Sequence, residues 1–267
     1  MKEWIPGTPT MVLEANPKYA GGPMMIERIE LIAVADLTSR VLQLATGALD
    51  WAFDLPHASA SSLPREVTAT PHPLGGIYHV TFNLERAAAE RTPLADPKVR
   101  QAISLAIDRE AVNQKAFFGI SPPATAFLYS GVPEHEPVLP NGGKRDVEGA
   151  KRLLASTPYA GGFEFPLQTW GARAGWKEAA LIIAENLKEI GITAKVEPLE
   201  DAVVVANANS GNFHAMWTGT VQLPTFALST MLVKGGFWAN AARYDNPDVA
   251  ALIDKAAVEL DPARRKA

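Results

Sequence analysis

The stretch "PLADPKVRQAISLAIDREAV" (residues 93–112) holds two helix starts around one apolar segment. Asp96 can accept a hydrogen bond from an amide of a first helical turn, and Pro97, with its φ preset and no N–H to lose, suits the first helical position. Val99, Ala102, Ile103, Ala106 and Ile107 then recur at helical spacing, a stripe that must face a core, while Lys98, Arg100, Gln101 and Ser104 stay outside. Asp108 is placed to cap a second, shorter helix through Arg109, Glu110 and Ala111. Two capped helices in series fit many folds, and these residues read as scaffold.

Upstream the pattern is rich in strands. "TMVLEAN" and "IERIELIAV" (26–34) read as strands, Asp36 caps a helix whose inner face is Leu37, Val41, Leu44 and Ala45, and Gly47 supplies its left-handed stop. "LDWAF" reads as a short strand returning toward Leu55, and "IYHVTFN" (77–83) as another after Gly75 and Gly76. Downstream, helix and strand alternate. "FEFPLQTW" (163–170) is a strand whose Pro166 predicts an edge or bulge. Trp176, Ala179, Ala180, Ile183, Ala184, Leu187 and Ile190 mark a helix running into the strand "ITAKVEPL", and "FHAMWTGT" (213–220) is a further strand. Asn246 and Pro247 open a last helix with Val249, Leu252, Ile253, Ala256 and Leu260 inward. This alternation predicts an α/β architecture, with residues 1–82 as a smaller sheet-rich unit and 83–267 as a larger one.

Composition removes several classes of function. At 267 residues the chain is long enough for one large or two modest domains, and a net charge of −4 with scattered Lys and Arg argues against a nucleic-acid partner. The absence of cysteine excludes disulfides, thiolate zinc sites and cysteine nucleophiles without fixing the compartment. No apolar run approaches the roughly 20 residues of a membrane-spanning helix. "MKEWIPGTPT" lacks the pattern of a signal peptide, so the chain reads either as cytoplasmic or as a mature or excised piece. No G-x-S-x-G elbow, P-loop, H-E-x-x-H or G-x-G-x-x-G motif occurs, which counts against the common enzyme classes. His57, His72, His79, His135 and His214 are dispersed, so neither a metal nor another cofactor is expected. Carboxylates that meet only in space leave no mark, and an α/β hydrolase-type enzyme stays open as an alternative.

The order of motifs is more telling than any one of them. "EWIPGTPTMVLEANPKYAGG", "ADLTSRVLQLATGALDWAF", "FNLERAAAERTPLADPKVRQAISLAIDREAV", "GAKRLLAST", "IIAENLKEIGITAKVEPLE" and "RYDNPDVAALIDKAAVELDPARRKA" together resemble the dipeptide and oligopeptide type, family 5, of extracellular solute-binding protein, the receptor of ABC importers. The resemblance implies a two-lobed periplasmic-binding-protein-like fold of type II and binding without turnover. It implies that the chain is a fragment, with 1–82 the later part of the first lobe and 83–267 the second lobe lacking its C-terminal return segment. The implied partners are a small solute (a peptide, an oligosaccharide or similar) and a membrane permease. The full-length protein is then expected to be a monomer in the periplasm, or outside the cell on a membrane tether. An extracellular solute-sensing domain is a further alternative.

Three stretches fall where the family lines its interlobe cleft: Phe53, Asp54 and Leu55; Gly75, Gly76 and Tyr78; and Trp217, Thr218, Gly219 and Thr220. Each has a structural alternative. Phe53 and Trp217 also fit a core, Gly75 and Gly76 a turn, and Asp54 a cap or a surface charge. Peptide-binding relatives typically continue Gly-Trp-x-Ala-Asp-Tyr-x-x-Pro, with the Asp on the peptide's amino terminus, whereas "TGTVQLPTF" (218–226) holds no acid. Thr218, Thr220 and Gln222 offer neutral hydrogen bonds instead, which suits a neutral or hydroxyl-rich solute better than an ammonium.

Overall fold

The computed structural model describes residues 3–4, 10–56, 58–59, 63–70, 75–120, 122–132, 135–221 and 224–266; His57, His72 and Gln222 lie outside these. The chain divides into two compact units, Met1–Thr68 and Ala69–Ala267. This division falls ahead of the expected boundary at 82/83, because "GIYHVTF" pairs with a strand of the second unit.

In the first unit, β1 (Glu3–Trp4), β2 (Thr10–Glu14) and β3 (Arg28–Ile32) form an antiparallel sheet in that order. Helix α1 (Leu37–Ala45) starts where the Asp36 carboxylate accepts from the Ser39 amide at 2.7 Å, and Gly47 follows its end at φ 76°. Val12 and Leu44 are the buried apolar residues described here. The "LDWAF" strand does not form. Asp54 adopts φ 56°, and the carbonyls of Phe53 and Asp54 accept from Arg40 instead of from a sheet neighbour.

The second unit begins with β4 (Gly76–Phe82), α2 (Leu84–Ala89), α3 (Pro97–Ala106), α4 (Arg109–Ala116) and α5 (Val147–Ala155). It continues through β5 (Phe163–Trp170), α6 (Trp176–Lys188), β6 (Ile192–Leu199), α7 (Asp201–Ser210) and β7 (Ala215–Val221). It closes with α8 (Pro224–Leu232), α9 (Phe237–Ala242), α10 (Pro247–Val258) and α11 (Pro262–Lys266). The sheet order is β4-β7-β5-β6; β7, β5 and β6 run parallel and β4 antiparallel to β7. Successive strand residues point to opposite faces. Tyr78 meets Phe117 and Trp176, while His79 meets Trp238, so α4 and α6 cover one face and α9 the other. Helix α7 joins α9's side, its Asn207 amide donating to Gln168 of β5 at 3.1 Å.

The opening stretch folds as its sequence dictates. Asp96 accepts from the Lys98 amide at 2.8 Å, Pro97 begins α3, and Val99, Ala102, Ile103 and Ala106 are at most 2% exposed. Burying each Val or Ile side chain is worth about 1.5–3 kcal/mol. Asp108 caps α4 through the Ala111 amide at 2.8 Å. Ile107 departs from the expected stripe: it leaves the helix in an extended conformation and is half-buried.

Two further expectations need correction. Pro166 stands in β5, an interior strand, but β7 pairs with β5 only at Leu167 and Gln168, so at Pro166 the strand has a neighbour on one flank alone. In α10 only Ile253 is buried; Leu252 is 65% exposed, and Leu260 lies beyond the helix at 90%.

Candidate functional site

In open α/β sheets, ligands bind outside the carboxyl ends of the parallel strands. In the second unit that edge is where β5 ends at Trp170, β7 runs through Trp217 to Val221, and antiparallel β4 begins at Gly76. Large aromatic side chains meet there. Tyr78 lies 4.6 Å from Phe117 and 5.9 Å from Trp217 in stacked arrangements and 5.1 Å edge-on from Trp176. Trp176 in turn meets Trp170 at 6.0 Å. Phe117, Trp170, Trp176 and Trp217 are buried, and Tyr78, 37% exposed, is their outer member.

Glycines make this packing possible. Gly219 pairs with Tyr78 in register, and a Cβ on it would fall 2.9 Å from Tyr78 Cδ1 and 3.2 Å from Trp176 Cη2. Gly175 starts α6 at φ 80°, where a Cβ would meet the Ala116 carbonyl at 2.6 Å. Both positions exclude any larger residue while the aromatic rings keep their places.

Polar groups border the aromatic cluster. The Arg173 guanidinium lies 3.7 Å from the ring centre of Trp170 and is fixed by Asp201, which accepts from Nε at 3.2 Å and Nη2 at 3.0 Å. Trp170 Nε1 donates to the buried Thr218 hydroxyl at 3.3 Å. Trp217 Nε1 and Thr169 Oγ1 are buried with no hydrogen-bond partner among the described residues. On the opposite face, burial pushes the His79 imidazole down to about 4; its Nδ1 meets the Thr81 hydroxyl at 3.0 Å. No cluster of His, Asp or Glu among the described residues could hold a metal ion.

The structure brings Tyr78, Trp217, Thr218 and Gly219 into this one region. Thr220 faces Ile77 and is half-buried, Gly76 opens β4, and Gly75 precedes it at φ 59°. Thr218 is fully buried and taken up by Trp170, so it supports the edge from beneath. Phe53, Asp54 and Leu55 belong to the first unit, where Phe53 is 68% exposed and Leu55 is half-buried. Sequence reasoning missed Phe117, Trp170, Arg173 and Trp176. The signal available for three of them was "TWGARAGW" (169–176), an arginine between two tryptophans at a strand-to-helix turn.

The family model described as bacterial extracellular solute-binding proteins, family 5 Middle, matches residues 1–239. Among curated proteins, the glutathione-binding protein GsiB of Escherichia coli strain K12 is 25% identical, over 93% of this chain and 50% of its own length. The chain thus spans about half the length of the curated relatives it matches. The dipeptide-binding protein of Pseudoalteromonas sp. SM9913, solved with Met-Leu, superposes with a TM-score of 0.83 at 21% identity, over 96% of this chain and 52% of its own. The PBP AgaA from A. tumefaciens R10, solved with agropinic acid, gives 0.80 at 24% identity, over 99% and 54%. These likenesses show the type II periplasmic-binding-protein fold over about half of each neighbour's length and lend no support to a hydrolase.

Proposed function

Since the chain belongs to the bacterial extracellular solute-binding proteins of family 5, we propose that it is part of the receptor of an ABC importer, capturing a small polar solute outside the cytoplasm and passing it to a membrane permease. The observation that carries this reading is the aromatic and polar grouping of Tyr78, Trp217 and the Arg173-covered Trp170 at the carboxyl edge of the second unit's sheet. Tyr78, the outer member of the cluster, offers its ring to a solute with the buried Trp217 stacked behind it, and the half-buried Gly75, Gly76 and Thr220 border it. No helix among the described residues is long and apolar enough to cross a membrane, which suits a receptor working beside its permease. The two lobes of the family follow the two units, and Phe53, Asp54 and Leu55 are solute contacts of the first.

The solute is peptide-like or hydroxyl-rich and is not gripped by an amino terminus on β7, because Thr218, Gly219 and Thr220 stand where peptide-binding relatives carry an acid. A hydrogen bond to a charged group is worth about 1.5–3 kcal/mol against about 1 for a neutral pair, so peptides lose roughly tenfold or more in affinity without that acid. A thermal-shift screen of the gene's full product with glutathione, dipeptides and oligosaccharides tests the reading. The expected result is a rise in melting temperature with at least one of these, abolished in Trp217→Ala. Catalytic turnover of any of them would refute it.

A further inference from the structure

Arg40, on α1 of the first unit, has a side chain only 19% exposed and, among the described residues, no carboxylate closer than 4.0 Å. Its donors go to backbone carbonyls. Nε and Nη2 donate to the Val34 carbonyl at 3.2 and 2.7 Å, and Nη1 donates to those of both Phe53 and Asp54, at 3.1 and 3.0 Å. In extended backbone, successive carbonyls point to opposite sides. Two in a row reach one nitrogen only where the chain kinks, and Asp54, at φ 56°, is that kink, a conformation that residues other than glycine adopt at a cost. Arginine and kink are two halves of one device.

A staple serving only the core would fix core residues. This one fixes a solvent-facing segment: Phe53 is 68% exposed, Trp51 beside it 71%, and the Asp54 side chain about half. The Asp54 carboxylate accepts no hydrogen bond among the described residues; its one contact there is the 4.0 Å approach to Arg40. Ordering such a segment before a ligand arrives removes an entropic cost from binding.

We propose that Arg40 is a positioning residue for solute binding, holding the Phe53–Asp54 kink so that the Asp54 carboxylate faces outward as an acceptor for N–H or O–H groups of the solute. This rests on the reading of Phe53 and Asp54 as solute contacts. The test uses the full gene product with glutathione as probe, in Arg40→Met, Arg40→Lys and the exposed-face control Leu42→Ala, with a crystal structure of Arg40→Met. The expected result is a glutathione Kd raised about tenfold or more in both arginine variants and unchanged in Leu42→Ala. Asp54 should lose its positive φ in Arg40→Met. Lysine keeps the charge but cannot span three carbonyls, so that variant decides the matter should the methionine variant fail to fold. Retention of the kink without Arg40, or unchanged affinity once it is lost, would overturn the proposal. If the unaltered protein ignores glutathione, the affinities are measured with whichever of the dipeptides or oligosaccharides it binds, and the φ of Asp54 in the Arg40→Met crystal structure decides Arg40's part.

Discussion

Trp170 Nε1 donates to Thr218 Oγ1 across 3.3 Å in the buried interior of the second unit, just past the Leu167–Ala215 and Gln168–Met216 pairs at which the β5–β7 ladder ends. A side-chain bond thus continues the link between two strands whose backbones have stopped pairing. Thr218→Val keeps the shape and leaves the indole N–H buried and unpaired, which costs about 1–3 kcal/mol. Urea unfolding should show this loss and a smaller one in Thr218→Ser; a silent valine variant would mean that the bond contributes nothing.

Gly219→Ala tests the packing of the aromatic cluster. The added methyl would lie 2.9 Å from Tyr78 and 3.1 Å from the Ile77 carbonyl, so the ring must shift. The expected outcome is a loss of about 1–3 kcal/mol together with a changed near-ultraviolet circular dichroism signal. An unaltered spectrum would show that Tyr78 does not depend on this glycine.

Acid stability should report His79. Burial lowers its folded pKa to about 4 from 6.5, so between these values the unfolded chain holds more protons than the folded one. Its contribution is therefore complete above about pH 6.5, shrinks as pH falls toward 4 and levels off below, a total of about 3 kcal/mol. Unfolding free energies of the protein and of His79→Gln, measured from pH 4 to 7, should differ in slope over that window. Parallel curves would contradict the assignment.

Ile103→Ala should cost roughly 2–5 kcal/mol by leaving a cavity in the α3 core, with no change in which solutes bind. Chemical denaturation and the solute screen measure the two parts separately; an unchanged stability or an altered solute preference would contradict the scaffold reading.

What the sequence disclosed followed from local signals. Asp96, Asp108 and Asn246 cap helices as their spacing with Pro97, Arg109 and Pro247 required, because capping is decided within one turn. The "LDWAF" strand failed because a residue remote in sequence, Arg40, claims the carbonyls that a neighbouring strand would have taken. The position of β4 was equally illegible, since its pairing with β7 joins segments far apart in the chain. At the candidate site, Trp217 and Tyr78 were found through family resemblance. Trp170, Arg173 and Trp176 escaped because a cation stacked between two indoles is a tertiary arrangement with no period in the sequence.

Calorimetry on the full gene product, with glutathione, Met-Leu, N-acetyl-Met-Leu and a neutral oligosaccharide, tests the central claim most directly. The account predicts saturable binding of at least one of these, without turnover, lost in Trp217→Ala and indifferent to acetylation of the peptide. Tight binding of free Met-Leu that acetylation abolishes, or binding that survives Trp217→Ala unchanged, would contradict it.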